Sequence, residues 1–157
     1  MPERKVAVVP SLLDRLTDDK DNPELLMSGL QDIRGLERGV VRDLENLLNT
    51  RREALWDLPQ EFNELNKSLL LYGLPDFTGY NLLDPNDLNQ LRRSLETAVA
   101  TFEPRLQRVR VTMTPPGQND GALHFRIEAQ LRVEPTPESV AFDTILHLDT
   151  HKYSVRT

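Results

Sequence analysis

The chain has 157 residues, the length of one domain, and 38% of them are hydrophobic, so a core can form without disulfides or metals. Cysteine is absent, which excludes disulfides and thiolate chemistry and fits a reducing compartment. The formal net charge of -6 disfavours general polyanion binding, so no nucleic acid is expected as a partner.

Residues 1–32 are predicted to form a flexible N-terminal tail. The stretch TDDKDNPE is charged and rich in turn residues. Ahead of it, PSLLDRL offers one or two turns of amphipathic helix, too few to be stable without a surface to pack on. Either the protein's own domain or a partner supplies that surface, and the sequence leaves both readings open.

The same region argues against a signal peptide, because Pro10 interrupts the first apolar run and no small-residue cleavage site follows. The longest apolar runs, such as SLLLYGL, are too short to span a bilayer. We therefore expect a cytoplasmic protein without membrane insertion.

Residues 33–157 are predicted to form a single domain that begins with two helices. The first spans about Ile33 to Leu48, where apolar residues recur at steps of three and four. The second spans from near Pro59 to Tyr72. It is followed by Gly73, which suits the left-handed position after a helix, and by Pro75, which prevents continuation.

A third helix carries the strongest local signals. Asp84 is a favourable N-cap, Pro85 suits the first helical position, and Asp87 falls in the first turn. The apolar stripe then continues to Phe102, and Pro104 ends it.

After Pro104 the apolar period changes from about 3.6 to 2, which indicates strands. Three strands are predicted, at about Val109 to Met113, Leu123 to Val133 and Val140 to Leu148, and Asp120-Gly121 marks a hairpin turn. One apolar face per strand and short connections predict an α+β fold, with about three helices packed on one face of a small antiparallel meander.

Sequence signatures of catalysis are missing. There is no G-x-S-x-G elbow, no phosphate-binding glycine loop and no dinucleotide fingerprint. His147 and His151 are expected on one extended strand, about 13 Å apart, which is too far to share a metal ion. Glycoside hydrolysis needs two carboxylates about 5–9.5 Å apart, which a sequence cannot show. We predict no catalytic residue, no metal site and no cofactor.

Glu103-Pro104-Arg105, in AVATFEPRLQRVRV, is the candidate functional site. Pro104 stops the helix, and Arg105 suits the partial negative charge at a helix C-terminus. Glu103 does not suit that position unless a cation faces it, and either Arg105 or a group on another chain can supply one. The tripeptide is thus either a helix stop or a partner-binding surface.

Several blocks of the sequence resemble one known family. The blocks are PSLLDRLTDD, LENLLNTRR, SLLLYGLPDFTG, LRRSLETAVATFEPRL, FRIEAQLRVEP and VAFDT. Their order resembles that of the TssE family, the small baseplate subunits of bacterial type VI secretion systems. These subunits are similar to the gene twenty-five-like (GPW-like) wedge proteins of contractile phage tails. The E-P-R signature of the family falls on Glu103, Pro104 and Arg105.

The resemblance implies a structural subunit and not an enzyme. It implies that the domain joins the wedge of TssF and TssG, with TssK nearby, through contacts of the E-P-R motif. It further implies a role in starting the TssB/TssC sheath around the inner tube, in a baseplate at the cytoplasmic side of the inner membrane. Two alternatives stay open: a regulatory anti-adaptor-like binding module, and a peptidoglycan-cleaving lysozyme-like enzyme, whose substrate lies outside the cytoplasm.

The last predicted strand, about Val140 to Leu148, is expected at an edge of the sheet. It contains no proline and no lysine until Lys152, so it is poorly protected against strand addition. Two hypotheses follow: a sheath segment pairs along this edge, or a tail or loop of the same chain covers it.

Overall fold

The computed structural model describes residues 33–52, 64–114, 121–133 and 136–157. The predicted tail, 1–32, lies outside these ranges, as does the predicted turn at Asp120. The described elements are helices α1 (Ile33–Asn49) and α2 (Pro85–Phe102), strands β1 (Leu106–Thr114), β2 (Ala122–Leu131), β3 (Glu138–His147) and β4 (Lys152–Arg156), and two short 3-10 turns, Leu65–Lys67 and Leu69–Leu71.

The four strands form one antiparallel sheet in the order β1-β2-β3-β4. The predicted α+β class with an antiparallel meander is confirmed, but the prediction of three strands is wrong. The chain turns after His147 and returns as β4, in which Tyr153 and Val155 are buried. Two buried side chains in a five-residue strand are too weak a pattern to stand out in the sequence.

Both α-helices pack on the same face of the sheet, as the sequence predicts. Helix α1 lies against β4 and helix α2 against β1, and apolar side chains from both helices meet those of the strands in one core. The most deeply buried side chains of this core are Leu36, Val40, Leu44, Leu91, Leu95, Val99, Leu123, Ile127, Leu131 and Phe142.

The number of helices differs from the prediction, because the described residues contain two α-helices and not three. Of the predicted second helix, residues 59–63 lie outside the described ranges, and the rest forms the two 3-10 turns. Ser68 separates these turns: its backbone is extended (φ -78, ψ 158), and its hydroxyl donates to the Leu65 carbonyl at 2.7 Å. A serine that bonds its own local backbone competes with helix in this way.

The left-handed conformation predicted at Gly73 is confirmed, with φ 107. It brings the chain against the end of α1, where the Leu74 N–H donates to the Thr50 carbonyl at 2.8 Å and the Arg52 N–H donates to the Leu74 carbonyl at 2.7 Å. A Cβ at Gly73 would lie 2.3 Å from the Thr50 carbonyl oxygen. Only glycine therefore fits here.

The N-terminus of α2 has the caps that the sequence predicts. The Asp84 side chain accepts from the Asn86 N–H at 2.8 Å, and Pro85 occupies the first turn. The Asp87 carboxylate accepts from the Asn81 N–H at 2.7 Å, which fixes the preceding loop to the helix.

Strand β1 contains a bulge at Arg108, whose φ is 53. The register shifts between Gln107 and Arg110, so the strand gains one residue relative to β2. Leu106 and Val111, five positions apart, consequently both face the core. Strict alternation would place them on opposite faces, and for this reason the sequence pattern indicated a strand only from Val109 onward.

Strand β3 lies between β2 and β4, so the expectation that it forms the edge strand of the sheet is wrong. Strand β4 pairs with residues 143–147 of β3, while residues 138–142 have no partner on that side among the described residues. Helix α1 contacts the outer side of β4. The Asn49 side chain accepts from the Tyr153 N–H and donates to the Tyr153 carbonyl, both at 2.9 Å. The Glu45 carboxylate accepts from the Val155 N–H at 2.9 Å. Helix side chains thus bond edge groups that an added strand would need.

The opposite edge, on β1, has a similar contact from α2. The Glu96 carboxylate accepts from the Val111 N–H at 2.9 Å. Arg92, one helical turn earlier, donates to both Glu96 oxygens at 3.0 and 3.1 Å and holds the carboxylate in place.

Candidate functional site

The candidate site lies where α2 ends and β1 begins. Glu103 has left the helical conformation (φ -118, ψ 81), although its N–H still donates to the Val99 carbonyl at 2.9 Å. Pro104 is exposed and prevents a further helical turn. The Arg105 carbonyl accepts from the Arg132 N–H at 2.8 Å, which anchors the segment to the end of β2.

Glu103 and Arg105 form a bidentate ion pair. Arg105 Nε donates to Glu103 Oε1 at 2.7 Å, and Arg105 Nη2 donates to Oε2 at 2.5 Å. The Arg105 backbone N–H also donates to Oε1 at 3.2 Å. Glu103 is only 4% exposed, so the pair is largely removed from solvent. Arg105 therefore supplies the cation that a carboxylate at a helix C-terminus requires.

A second carboxylate, Asp43 of α1, completes the site. Arg105 Nη2 donates to Asp43 Oδ2 at 2.5 Å, while Arg42 donates to Asp43 Oδ1 at 3.1 and 3.2 Å. The cluster links α1, the end of α2 and the start of β1. The sequence did not reveal Asp43, because the residue lies 62 positions from Arg105 and belongs to a helix with several other polar residues.

The electrostatic environment keeps Arg105 charged. Burial lowers the pKa of Arg105, but the hydrogen bonds and negative charges of Glu103, and then of Asp43, outweigh burial and raise the pKa above its ordinary value. The pKa of Tyr72 is also raised, first by burial and then by the charges of Asp43 and Glu103. The Tyr72 ring meets Phe102 edge-on, with centroids 5.3 Å apart, and forms the apolar wall beside the cluster.

Parts of the tripeptide remain accessible. The Arg105 side chain is 20% exposed, and Pro104 is exposed beside it. Arg105 Nη1 is buried and has no hydrogen-bond acceptor among the described residues. The site thus presents a rigid proline beside the partly exposed side chain of Arg105. The Glu103 carboxylate is buried and accepts hydrogen bonds from Arg105.

His147 and His151 are arranged differently from the sequence prediction. A turn, and not a straight strand, joins them: His147 lies opposite Lys152 in the β3–β4 ladder. The argument that an extended strand separates the two histidines was therefore wrong. His147 Nε2 lies 3.4 Å from Ser154 Oγ. In the described ranges, no group of three or more His, Asp or Glu residues could hold a metal ion.

In the part of the chain that the structure describes, no helix has the length and apolar character needed to cross a bilayer.

Comparisons with known proteins point to one kind of assembly. The family model described as "Baseplate wedge protein gp25" matches residues 34–136, a range that contains the whole candidate site. A solved structure entitled "The baseplate complex from the type VI secretion system" includes a chain with 25% sequence identity and a TM-score of 0.52. The match covers 79% of this chain and 97% of that chain. Comparison with curated proteins gave no match.

Proposed function

Because the chain belongs to the family of baseplate wedge protein gp25, we propose that it is a TssE-type structural subunit of a type VI secretion baseplate. In this proposal it joins the baseplate wedge and helps to start the contractile sheath. The proposed unit is residues 33–157 as one domain, with 1–32 as a tail.

The observation that carries the proposal is the Arg105 guanidinium held between two carboxylates next to an exposed proline. Two charged partners fix the guanidinium in one orientation, so a binding protein meets a rigid surface and loses little side-chain entropy on contact. Glu103 is buried and therefore acts from inside the fold, as does Asp43, by positioning Arg105. Pro104 and the exposed part of Arg105 make the contact.

The proposed partners are the wedge proteins TssF and TssG, with TssK nearby, the sheath proteins TssB and TssC, and the inner tube. The proposed location is the cytoplasmic side of the inner membrane. Sheath assembly along the whole β3 edge is no longer part of the proposal, because β4 pairs with residues 143–147 of that strand.

The test is reconstitution of the full chain with purified TssF and TssG. Arg105→Ala alone leaves Glu103 buried and unpaired, so loss of binding could reflect loss of the fold. The double variant Glu103→Ala/Arg105→Ala removes both charges and separates these effects. We expect it to remain folded but to lose co-purification with the wedge proteins.

Arg92→Ala is the matched control, because it removes another partly buried arginine that pairs with a glutamate on α2. It should bind the wedge proteins normally. If the folded double variant also binds normally, the Glu103-Pro104-Arg105 site has only a structural role and the proposal is wrong.

The proposal also states that the subunit does not cleave peptidoglycan. The family to which the chain belongs is a structural baseplate family. A turbidity assay on purified cell walls with the full chain should show no clearing above that of a heat-denatured sample. Clearing that follows the protein through purification would reverse this part of the proposal.

A further inference from the structure

Within the described residues, one face of the sheet is uncovered and points away from both helices; we call it the open face. Its outward positions follow from the register: Thr112, Arg126, Asp143 and Arg156 form one row across all four strands, and Arg110, Glu128 and Ala141 form the neighbouring row. The charged side chains in both rows are exposed. This open face is separate from the Glu103-Pro104-Arg105 site, whose contacts run inward to α1.

The open face carries the opposite charge from the chain as a whole. Within the described residues, it has five cationic side chains and two carboxylates, although the complete chain has a formal net charge of -6. The cations are Arg108, Arg110, Arg126, Lys152 and Arg156, and the carboxylates are Glu128 and Asp143. Acidic residues are therefore concentrated elsewhere.

Pairing within the sheet leaves much of this positive charge available. Asp143 is engaged by Arg126, with Nε–Oδ1 at 2.7 Å and Nη2–Oδ2 at 3.1 Å. Within the described part of the chain, no ion pair is recorded for Arg108, Arg110 or Arg156. Three guanidinium groups are thus presented to solvent with their donors free for carboxylate oxygens.

Two of these arginines border a shallow hollow of about 450 Å³. Arg108 and Arg110 lie along one side of the hollow, and Ser139 and Ala141 lie on the other. Glu128 and Gln130 of β2 line it between them, so two guanidinium groups and one carboxylate border the space and its net charge is positive. The bulge at Arg108 and the short side chains of β3 together create the space. Its size suits the insertion of an aspartate or glutamate side chain from another protein.

We propose that the open face of the sheet binds an acidic protein surface, with a carboxylate of that surface entering the hollow beside Arg108 and Arg110. This second interaction surface goes beyond the proposed wedge contact and does not depend on it. Coulombic attraction between the arginines of the open face and an acidic patch on the partner extends over about one Debye length, about 8–10 Å, and is sufficient to orient that patch.

A protein fits this surface better than a nucleic acid does. A long polyanion extends past the open face and meets the repulsion of the acidic remainder of the chain. Among the described residues, moreover, the outward positions of the strands carry two histidines, His124 and His147, but no Phe, Tyr or Trp side chain on which a base could stack. A compact acidic patch avoids the repulsion and needs no stacking.

The test measures binding of the full chain to a short oligo-L-glutamate peptide, which is small enough to lie within the open face, at low and high salt. The double variant Arg110→Glu/Arg156→Glu reverses two unpaired charges on the open face. The control Arg34→Glu/Arg38→Glu changes the net charge equally at two exposed residues of α1. Thermal unfolding of each variant establishes that it is folded, and a DNA duplex serves as the alternative probe.

We expect the wild-type protein and the α1 control to bind the oligo-L-glutamate peptide, and the open-face variant to bind it at least about tenfold more weakly. Equal weakening of both variants would mean that only net charge matters and would overturn the proposal. So would absence of wild-type binding at low salt. Binding of the DNA duplex at least as tightly, with the same loss in the open-face variant, would assign the surface to nucleic acid instead. Because the wedge contact is tested by Glu103→Ala/Arg105→Ala, the two proposals fail independently.

Discussion

The side-chain amide of Asn49 takes the place of a neighbouring strand for Tyr153. Its oxygen accepts from the Tyr153 N–H and its nitrogen donates to the Tyr153 carbonyl, both at 2.9 Å, across 104 positions of sequence. Asn49→Ala leaves both backbone groups without these partners. We expect the free energy of unfolding to fall by about 1–2 kcal/mol, as measured by urea denaturation.

The same substitution opens the edge of β4, so the variant should also associate with itself more strongly as concentration rises, as measured by sedimentation velocity. Asn46→Ala, an exposed asparagine on the same helix, is the matched control and should change neither quantity. Equal effects of the two substitutions would show that the Asn49 side chain does not protect the edge.

Among substitutions that remove a charged side chain, Arg105→Ala should be the most destabilising, because it leaves the buried carboxylate of Glu103 without a cation. Breaking a buried pair costs roughly 3–5 kcal/mol, and we expect about 3 because the Arg105 side chain retains some exposure. Urea denaturation gives the value. Glu103→Ala/Arg105→Ala should cost less than the sum of the two single substitutions. Arg92→Ala should cost under about 1 kcal/mol, and a similar cost for Arg105→Ala would contradict the buried-pair account.

Gly73→Ala should destabilise the contact between the 3-10 region and the end of α1. The new Cβ would stand 2.3 Å from the Thr50 carbonyl oxygen at a φ of 107. Left-handed strain and overpacking together suggest a loss of about 3 kcal/mol. Gly79→Ala is the control, because a Cβ there meets no atom within 4 Å, and it should change stability by less than about 0.5 kcal/mol. Equal melting temperatures for Gly73→Ala and Gly79→Ala would contradict the close contact between Gly73 and the Thr50 carbonyl.

Thr144→Val should leave stability unchanged or increase it by about 1 kcal/mol. Thr144 is 1% exposed, and within the described residues its Oγ1 is buried without a hydrogen-bond partner. Valine keeps the shape and removes the unsatisfied hydroxyl. Thr112→Val, at an exposed outward position, controls for strand propensity. A loss of more than about 1 kcal/mol at Thr144 alone would indicate that its hydroxyl is hydrogen-bonded.

Stability should decline in alkaline solution because burial raises the pKa of Tyr153 from 10.0 to about 12. The folded state then holds the phenol proton more tightly than the unfolded state does. The resulting stabilisation is complete below pH 10 and is lost as pH rises to about 12. Two pKa units correspond to roughly 2–3 kcal/mol.

The measurement for Tyr153 is the free energy of unfolding across this pH range. Tyr153→Phe should flatten the decline, whereas Tyr80→Phe should not. The raised pKa of Tyr72 acts in the same direction, so some decline should persist in Tyr153→Phe. An unchanged slope in Tyr153→Phe would exclude Tyr153 as a source of the decline.

Local signals in the sequence were sufficient for several elements. The Asp84 cap and Pro85 placed the start of α2, the apolar period placed α1, and strict alternation placed β2. The end of α2 before Pro104 was predictable because proline disfavours the helical conformation at the residue before it and cannot continue the helix. In each case the structure is determined by interactions between residues that are close together in the sequence.

The predictions were wrong or incomplete mainly where contacts between distant parts of the chain determine the local structure. Strand β4 has only two buried side chains and is held by α1 side chains about a hundred positions away, so its own sequence is a weak signal. Arg105 was predictable as a cation for Glu103, but its bond to Asp43 depends on how α1 crosses the start of β1. At Ser68 a local hydroxyl bond overcame a favourable apolar period.

The bulge at Arg108 is a residue that has no counterpart on the neighbouring strand. Gln107 and Arg110 are three positions apart, whereas their partners Gln130 and Glu128 are two apart. Deletion of Arg108 would therefore leave a regular strand in which Leu106 and Val111 still face the core, because an even spacing would then separate them. A redesign of this protein can shorten the chain at Arg108 without reversing either side chain.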